Sequence, residues 1–235
     1  MFKLIKLEWK KNKISKYIRN AIILSTILGL FLFAQCFLGI AKDPDTGAPD
    51  AAPGTNNISS QVEMLTSASF LVFTGVMLAS FIIGAYKNKT INLMFSYPIK
   101  RQKILLSKML AVWIFTFLAL VITKVLIYGV LYVTSGFLKS DFPVDYNIAD
   151  PLFYLQIVLK SFVTISIGFI ALFIGKLMKS SKVTVISSFL LFVLLNGTIG
   201  DFTLANNAIF PLILTAVSAL CAILFIVGVE TRDVV

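Results

Sequence analysis

Apolar positions in this chain gather into long runs separated by short polar stretches. The runs cover residues 20–41, 63–86, 107–135, 151–175, 183–198 and 207–229. A helix needs about 20 mostly apolar residues to cross a bilayer's hydrocarbon core. The pattern therefore predicts an all-α, polytopic membrane protein: one transmembrane domain over 1–235 with six spanning helices. The fifth run is short, and Asn196-Gly197 predicts an irregular end to it. Small residues recur four apart at Ser25/Gly29, Gly75/Ala79 and Ser80/Gly84. That spacing allows close helix contact. Pro151 suits a helix start.

Residues 1–19 follow a different pattern. Phe2, Ile5 and Trp9 recur at helical spacing, while Lys3, Lys6, Lys10 and Lys13 occupy another face. This predicts an amphipathic helix lying in the membrane interface, with Trp9 at headgroup depth and Lys6, Lys10 and Lys13 toward anionic lipid. The apolar run after it exceeds the 7–15 residues of a signal-peptide core, so a retained first span is expected.

The polar connections differ sharply in charge. Residues 42–62 hold three prolines, two glycines and three aspartates, which predicts a flexible outer loop. Residues 87–108, KNKTINLMFSYPIKRQKILLSK, hold six basic residues and no acid. Ile91, Leu93, Met94 and Phe95 form an apolar patch there, and Tyr97-Pro98 breaks the chain. Two readings stay open for this stretch: a solvated, positive-inside loop, or a docking element for a cytoplasmic partner. The four segments assigned to the inside hold 17 Lys/Arg and three acids. Those assigned outside hold Lys42 and Lys139 against eight acids, counting Glu63 at a span edge. This asymmetry predicts both termini in the cytoplasm.

Composition narrows the function. The chain is 58% hydrophobic and 14% charged, far from the usual soluble balance. Its net charge of +10 sits beside apolar runs, so membrane lipid rather than nucleic acid is the expected partner. Histidine is absent, and Cys36 and Cys221 have no metal spacing. The nearest phosphate-loop candidate, Gly168 to Leu177, has two residues too many between its glycines. No acid is predicted deep within a span, and Ser161 and Ser166 lack a nearby base. An enzyme is not expected.

Two lysines fall inside spans. Lys124 shares an i,i+4 stripe with Thr116, Leu120, Tyr128 and Tyr132. Lys160 lies beside Ser161 and Thr164. An ammonium at the bilayer centre costs about 2.5–3.5 kcal/mol on insertion scales, so Lys124 is expected to face protein, water or cargo. Both lysines can instead snorkel to the headgroups. On the functional reading Lys124, Tyr128, Lys160 and Asn196 line a translocation surface. On the structural one they pack helices by hydrogen bonds.

Six spans, a basic interfacial helix and the segment FSYPIKRQKILLSK resemble the ABC-2 type permeases, the membrane subunits of type V ABC transporters. The opening FKLIKLEWKKNKISKYIRNAI is similar to small Gram-positive permeases that handle bacitracin, lantibiotics or cytolytic peptides. The resemblance implies that residues 1–19 are an elbow helix. It implies a coupling helix within 87–108, seated in a separate ATP-binding subunit through Phe95, Tyr97, Pro98, Lys100, Arg101 and Lys103. The turn at 176–182 would be a second, smaller contact. ATP and Mg would belong to the partner chain, leaving this one without a cofactor. A second permease copy or a sister permease would complete the transporter in a bacterial cell membrane. Many relatives carry re-entrant outer helices between spans 5 and 6. Here that connection, 197–206, is brief. The expected function is the permease of an ATP-driven exporter of amphipathic or hydrophobic cargo, a peptide toxin or antimicrobial. The alternative is a non-transporting membrane anchor or sensor.

Overall fold

The computed structural model describes residues 2–37, 58–87, 101–137, 146–196, 198–199, 202–203 and 209–232. Helix α1 (Phe2–Lys11) ends where Lys13 takes a positive φ of 50°. The left-handed conformation stops a helix and turns the chain. The Asn12 backbone and side-chain N–H groups both donate to the Glu8 carbonyl there. Helix α2 (Ile14–Phe37) starts directly afterwards. The helix expected over 1–19 is therefore two elements, and Ile14–Arg19 are the first turns of α2.

Helix α3 (Ile58–Leu78) begins five residues before the span expected from 63. Ile58, Val62, Thr66 and Phe70 repeat at i,i+4 and are buried, so the end of the expected loop is helical core. The helix continues through a π-helical turn (Ala79–Ile83) and a last turn (Gly84–Lys87). Helix α4 (Arg101–Phe137) likewise starts ahead of its expected position at 107. Ile104, Leu105, Ser107, Lys108 and Met109 are all buried in it. The last third of the stretch read as a basic loop is thus the foot of a helix.

Helix α5 (Pro151–Leu177) has the expected start. Pro151 lies in its first turn, and the Asp150 carboxylate accepts a hydrogen bond from the Leu152 N–H at 2.9 Å. Its end is a Schellman motif: Ser180 N–H donates to the Gly175 carbonyl and Lys179 N–H to that of Lys176. Lys179 occupies the left-handed position, φ 49°. Helix α6 (Ser181–Asn196) has 16 residues, about 24 Å of rise against a hydrocarbon core of about 30 Å. A two-residue ladder follows, β1 (Thr198–Ile199) antiparallel to β2 (Phe202–Thr203), in the brief connection to α7 (Ile209–Arg232).

Among the described residues five helices are long and apolar enough to cross a membrane: α2, α3, α4, α5 and α7; α6 is shorter. Helices α3 and α5 form the centre. α3 packs on α4, α5 and α6, and α5 also on α6 and α7, while α2 lies at the periphery. One cluster joins Leu32, Phe70, Leu120 and Ile157; a second joins Met77, Phe81, Leu105, Leu172 and Phe225. The outer surface is apolar, with Ile22, Ile122, Leu126, Leu155, Leu190 and Leu220 all more than half exposed. Such a surface is stable in lipid and aggregates in water. The protein is an all-α, membrane-embedded bundle.

Candidate functional site

Two buried ion pairs organise the bundle, one at the foot of α4 and one higher up. At the foot, the Lys108 ammonium donates to a Glu8 carboxylate oxygen at 3.1 Å and to the Phe81 carbonyl at 3.2 Å. Their side chains are only 2% and 9% exposed. Phe81 belongs to the π turn, where the helical ladder is locally rearranged, often at functional sites. One ammonium thus ties α1, α3 and α4 together. Three further contacts hold the same corner. The Trp9 indole N–H donates to the Ala111 carbonyl at 3.0 Å. The Asn12 amide donates to the Glu8 carboxylate at 3.3 Å. Tyr17 and Ser80 share a hydroxyl hydrogen bond of 2.8 Å.

Burying both charges is tolerable only because each neutralises the other. Removing one strands its partner. Glu8→Gln should cost about 3 kcal/mol of stability, and Glu8→Gln with Lys108→Met should recover most of it. Thermal unfolding in detergent reads the stability, and limited proteolysis reads release of α1. Unchanged melting and unchanged proteolysis in Glu8→Gln would show that the pair does not hold this corner.

The foot of α4 follows directly on the segment expected to couple to a partner. Phe95, Tyr97, Pro98 and Lys100 lie outside the described residues. Arg101 opens α4, and Lys103 is exposed on its first turn. Of the residues assigned to the membrane interface, Lys6, Lys10 and Lys13 are exposed. Trp9 is half-buried and turned toward α4. In the last turn of α5, the Lys176 ammonium donates to the Phe225 carbonyl at 3.3 Å and stands 4.5 Å from that ring's centroid.

The second pair joins Lys124 to Glu63 at 2.6 Å, with Lys124 fully buried. The apolar pattern puts Glu63 at a span edge, but α3 begins at Ile58, so it sits in the second turn. One helical turn on, the Tyr128 hydroxyl donates to the Ser59 carbonyl at 3.2 Å. Glu63/Ser59 and Lys124/Tyr128 are each four apart and run in opposite directions, so they match as antiparallel rungs. Tyr146 donates to the Tyr128 carbonyl at 3.1 Å and packs edge-on against its ring, as does Phe153.

The expected stripe on α4 is buried at Thr116, Leu120, Lys124 and Tyr128, but Tyr132 is 53% exposed. Four-residue steps advance about 40° beyond a full turn each. Over four steps the row turns out of the bundle. Of the expected lining, Lys124 and Tyr128 come together. Lys160 is exposed on α5, within electrostatic reach of Lys124. Asn196 donates its amide to Phe192 of its own helix at 3.1 Å.

Glu8 and Glu63 are the functional candidates that sequence reasoning passed over. Glu8 shares the Ile5/Trp9 face of α1 rather than the lysine face, and an acid on an apolar face signals a buried partner. The signal for Glu63 is its four-residue spacing from Ser59, matching that of Lys124 and Tyr128. Among the described residues no group of three or more His, Cys, Asp or Glu is placed to hold a metal.

Comparison with known proteins agrees with this architecture. Residues 4–196 match the family described as ABC-2 family transporter protein. The chain is also 27% identical over 237 residues to the uncharacterized protein YcbO of Bacillus subtilis (strain 168), covering 98% of this chain and 99% of that one. No solved structure matches. The match over 4–196 takes in both ion pairs and all of α1 to α6 except the first residues of α1, and the chain belongs to the ABC-2 family of transporter membrane proteins.

Proposed function

We propose that this chain is the membrane half of an exporter for amphipathic or hydrophobic peptides. The coarser statement follows from the family: the chain is a permease subunit of an ABC transporter, and ATP hydrolysis belongs to an ABC ATP-binding partner. The finer reading adds a cargo class, an outward direction, cytoplasmic termini, and a second permease copy or sister permease.

The observation that carries the mechanism is the corner at Lys108. The proposed coupling segment, with Phe95, Tyr97, Pro98, Lys100, Arg101 and Lys103, leads straight into the foot of α4. Seven residues beyond Arg101, Lys108 is bonded to α1 and to the π turn of α3. A push from the ATP-binding partner on this segment reaches three helices through one ammonium. The π turn is a natural place for α3 to change its helical register. ATP-driven closure would then rock α3 and α4 as a unit and switch the access of the bundle.

The polar groups within the bundle are largely closed on one another. Lys124 is held by Glu63 and Tyr128 by Ser59, which supports apolar cargo over a hydrated ion. The test is ATP hydrolysis by the reconstituted permease–ATPase complex with bacitracin or a lantibiotic added. The account expects at least about a twofold rise with one of these amphipathic peptides. Hydrolysis indifferent to every peptide would favour the passive anchor or sensor.

A further inference from the structure

The inner end of α3 holds one residue more than a regular helix needs. The Gly84 N–H donates to the Ala79 carbonyl, five residues back rather than four. No proline stands in the turn, Ala79–Ile83, to force this. Beyond it, only Gly84–Lys87 separate α3 from the stretch that begins at 88. We propose that the turn is a register switch. When it straightens into a regular helix, the inner end of α3 rotates by about 100° against the bundle. Its part in transport rests on the coupling segment proposed for the stretch that follows.

Rotation inside a packed bundle needs room, and this turn has it. A cleft of about 600 Å³ runs along one side, lined by Ala79, Ser80, Phe81, Gly84 and Ala85, with Val185 of α6 also in its wall. A residue of π helix turns the chain less than the 100° of an α-helical one. Straightening five of them therefore adds about one residue's rotation. Ile83, now 3% exposed, then takes the direction that Gly84 holds, out of the interior and into the cleft.

Three contacts hold the present register. The Lys108 ammonium donates to the Phe81 carbonyl at 3.2 Å. Tyr17 of α2 shares a 2.8 Å hydrogen bond with the Ser80 hydroxyl and sets its ring edge-on to Phe81, centroids 5.3 Å apart. Ile83 packs over Gly175 of α5, where an added methyl would meet it at 2.7 Å. The first contact belongs to the foot of α4, so displacing that foot withdraws the ammonium and frees the turn. Residues 88–100 thus begin at the switch and end at the helix that carries its lock.

The test uses the full-length chain alone in nanodiscs, with Cys36 and Cys221 replaced by Ser. Ile83→Cys reports the turn. Met77→Cys, fully buried and ahead of the turn, is the control. A water-soluble maleimide should label both slowly. Tyr17→Phe with Glu8→Gln and Lys108→Met removes both polar tethers without stranding a charge. Labelling at Ile83→Cys should then rise about tenfold or more, with Met77→Cys unchanged. Further deletion of Ser80 should return Ile83→Cys to slow labelling, because it takes out the extra residue and leaves both flanks in register. Amide hydrogen exchange over 79–83 should stay slow throughout, since both registers are hydrogen-bonded, and it decides the matter if the deletion fails to fold. Slow labelling at Ile83→Cys without the tethers would overturn the proposal. Faster labelling at Met77→Cys, fast exchange over 79–83, or labelling that the deletion does not reverse would show a loosened corner in place of a register change. No ATP-binding subunit takes part, so failure here leaves the exporter reading standing, and failure to capture such a subunit leaves the switch standing.

Discussion

Replacing Glu63 by Gln should destabilise the protein by about 3 kcal/mol. The Lys124 ammonium is fully buried and, among the described residues, donates its hydrogen bond to Glu63, at 2.6 Å. Without the carboxylate the ammonium has no counter-charge, and an isolated ion in an apolar interior costs several kcal/mol. Lys124→Met alone should be milder, because the Glu63 side chain keeps 18% exposure and can be hydrated. The double variant Glu63→Leu/Lys124→Met should return close to the parent stability, since it removes both charges and refills the space. Unfolding of the parent and the three variants in detergent gives the order. A near-neutral Glu63→Gln, or a double variant as weak as the worse single one, would remove the pair from the framework.

The second large effect concerns close helix contacts. A methyl group added at Gly175 would overlap the Thr184 hydroxyl and meet the Ile83 side chain at 2.7 Å. Thr184 is fully buried, so it has nowhere to move. At Gly75 the methyl would meet the Ser188 hydroxyl at 2.5 Å and its β-carbon at 2.9 Å. Both contacts seat α6 against its neighbours. Gly175→Ala should cost about 3 kcal/mol and Gly75→Ala about 2 kcal/mol, as in other overpacked interiors. Ser188→Gly should rescue Gly75→Ala, because it transfers the missing space to the other helix. Gly129→Ala should have the opposite sign. Nothing lies within 4 Å of its added methyl, and a helix-interior Gly costs about 0.5–1 kcal/mol relative to Ala. Melting temperatures of the four variants check the order. Equal effects at Gly175 and Gly129 would mean that helix propensity, not contact, decides.

The apolar runs were legible in the sequence because a bilayer demands them, whatever the tertiary packing. The helix ends were less so. The charge pattern assigns every basic residue of 87–108 to the cytoplasmic side, yet Lys108 is buried in the bundle because Glu8, a hundred residues away, supplies its counter-charge. The break between α1 and α2 has no glycine to announce it. Lys13 takes the left-handed conformation instead, as Lys179 does after α5. The expected i,i+4 stripe on α4 is a buried face for only part of its length. Thr116 to Tyr128 do share a buried face, but four-residue spacing drifts, and Tyr132 turns outward. Glu63 counts as an outer acid on the sequence pattern because that pattern carries the loop through 58–62, the first five residues of α3. Ion pairs between distant helices depend on packing that no local pattern records. Matched i,i+4 polar positions on two helices are the nearest available sign.

Coupling to an ATP-binding subunit is the claim on which the functional account rests. The direct measurement is capture of the tagged chain from its native membrane, followed by mass spectrometry of what accompanies it. The account predicts recovery of a soluble subunit carrying a phosphate-loop motif, and its loss when residues 97–101, Tyr-Pro-Ile-Lys-Arg, are replaced in a chain that still folds. Recovery of the intact chain with no ATP-binding subunit, or undiminished recovery of that subunit after the replacement, would contradict it.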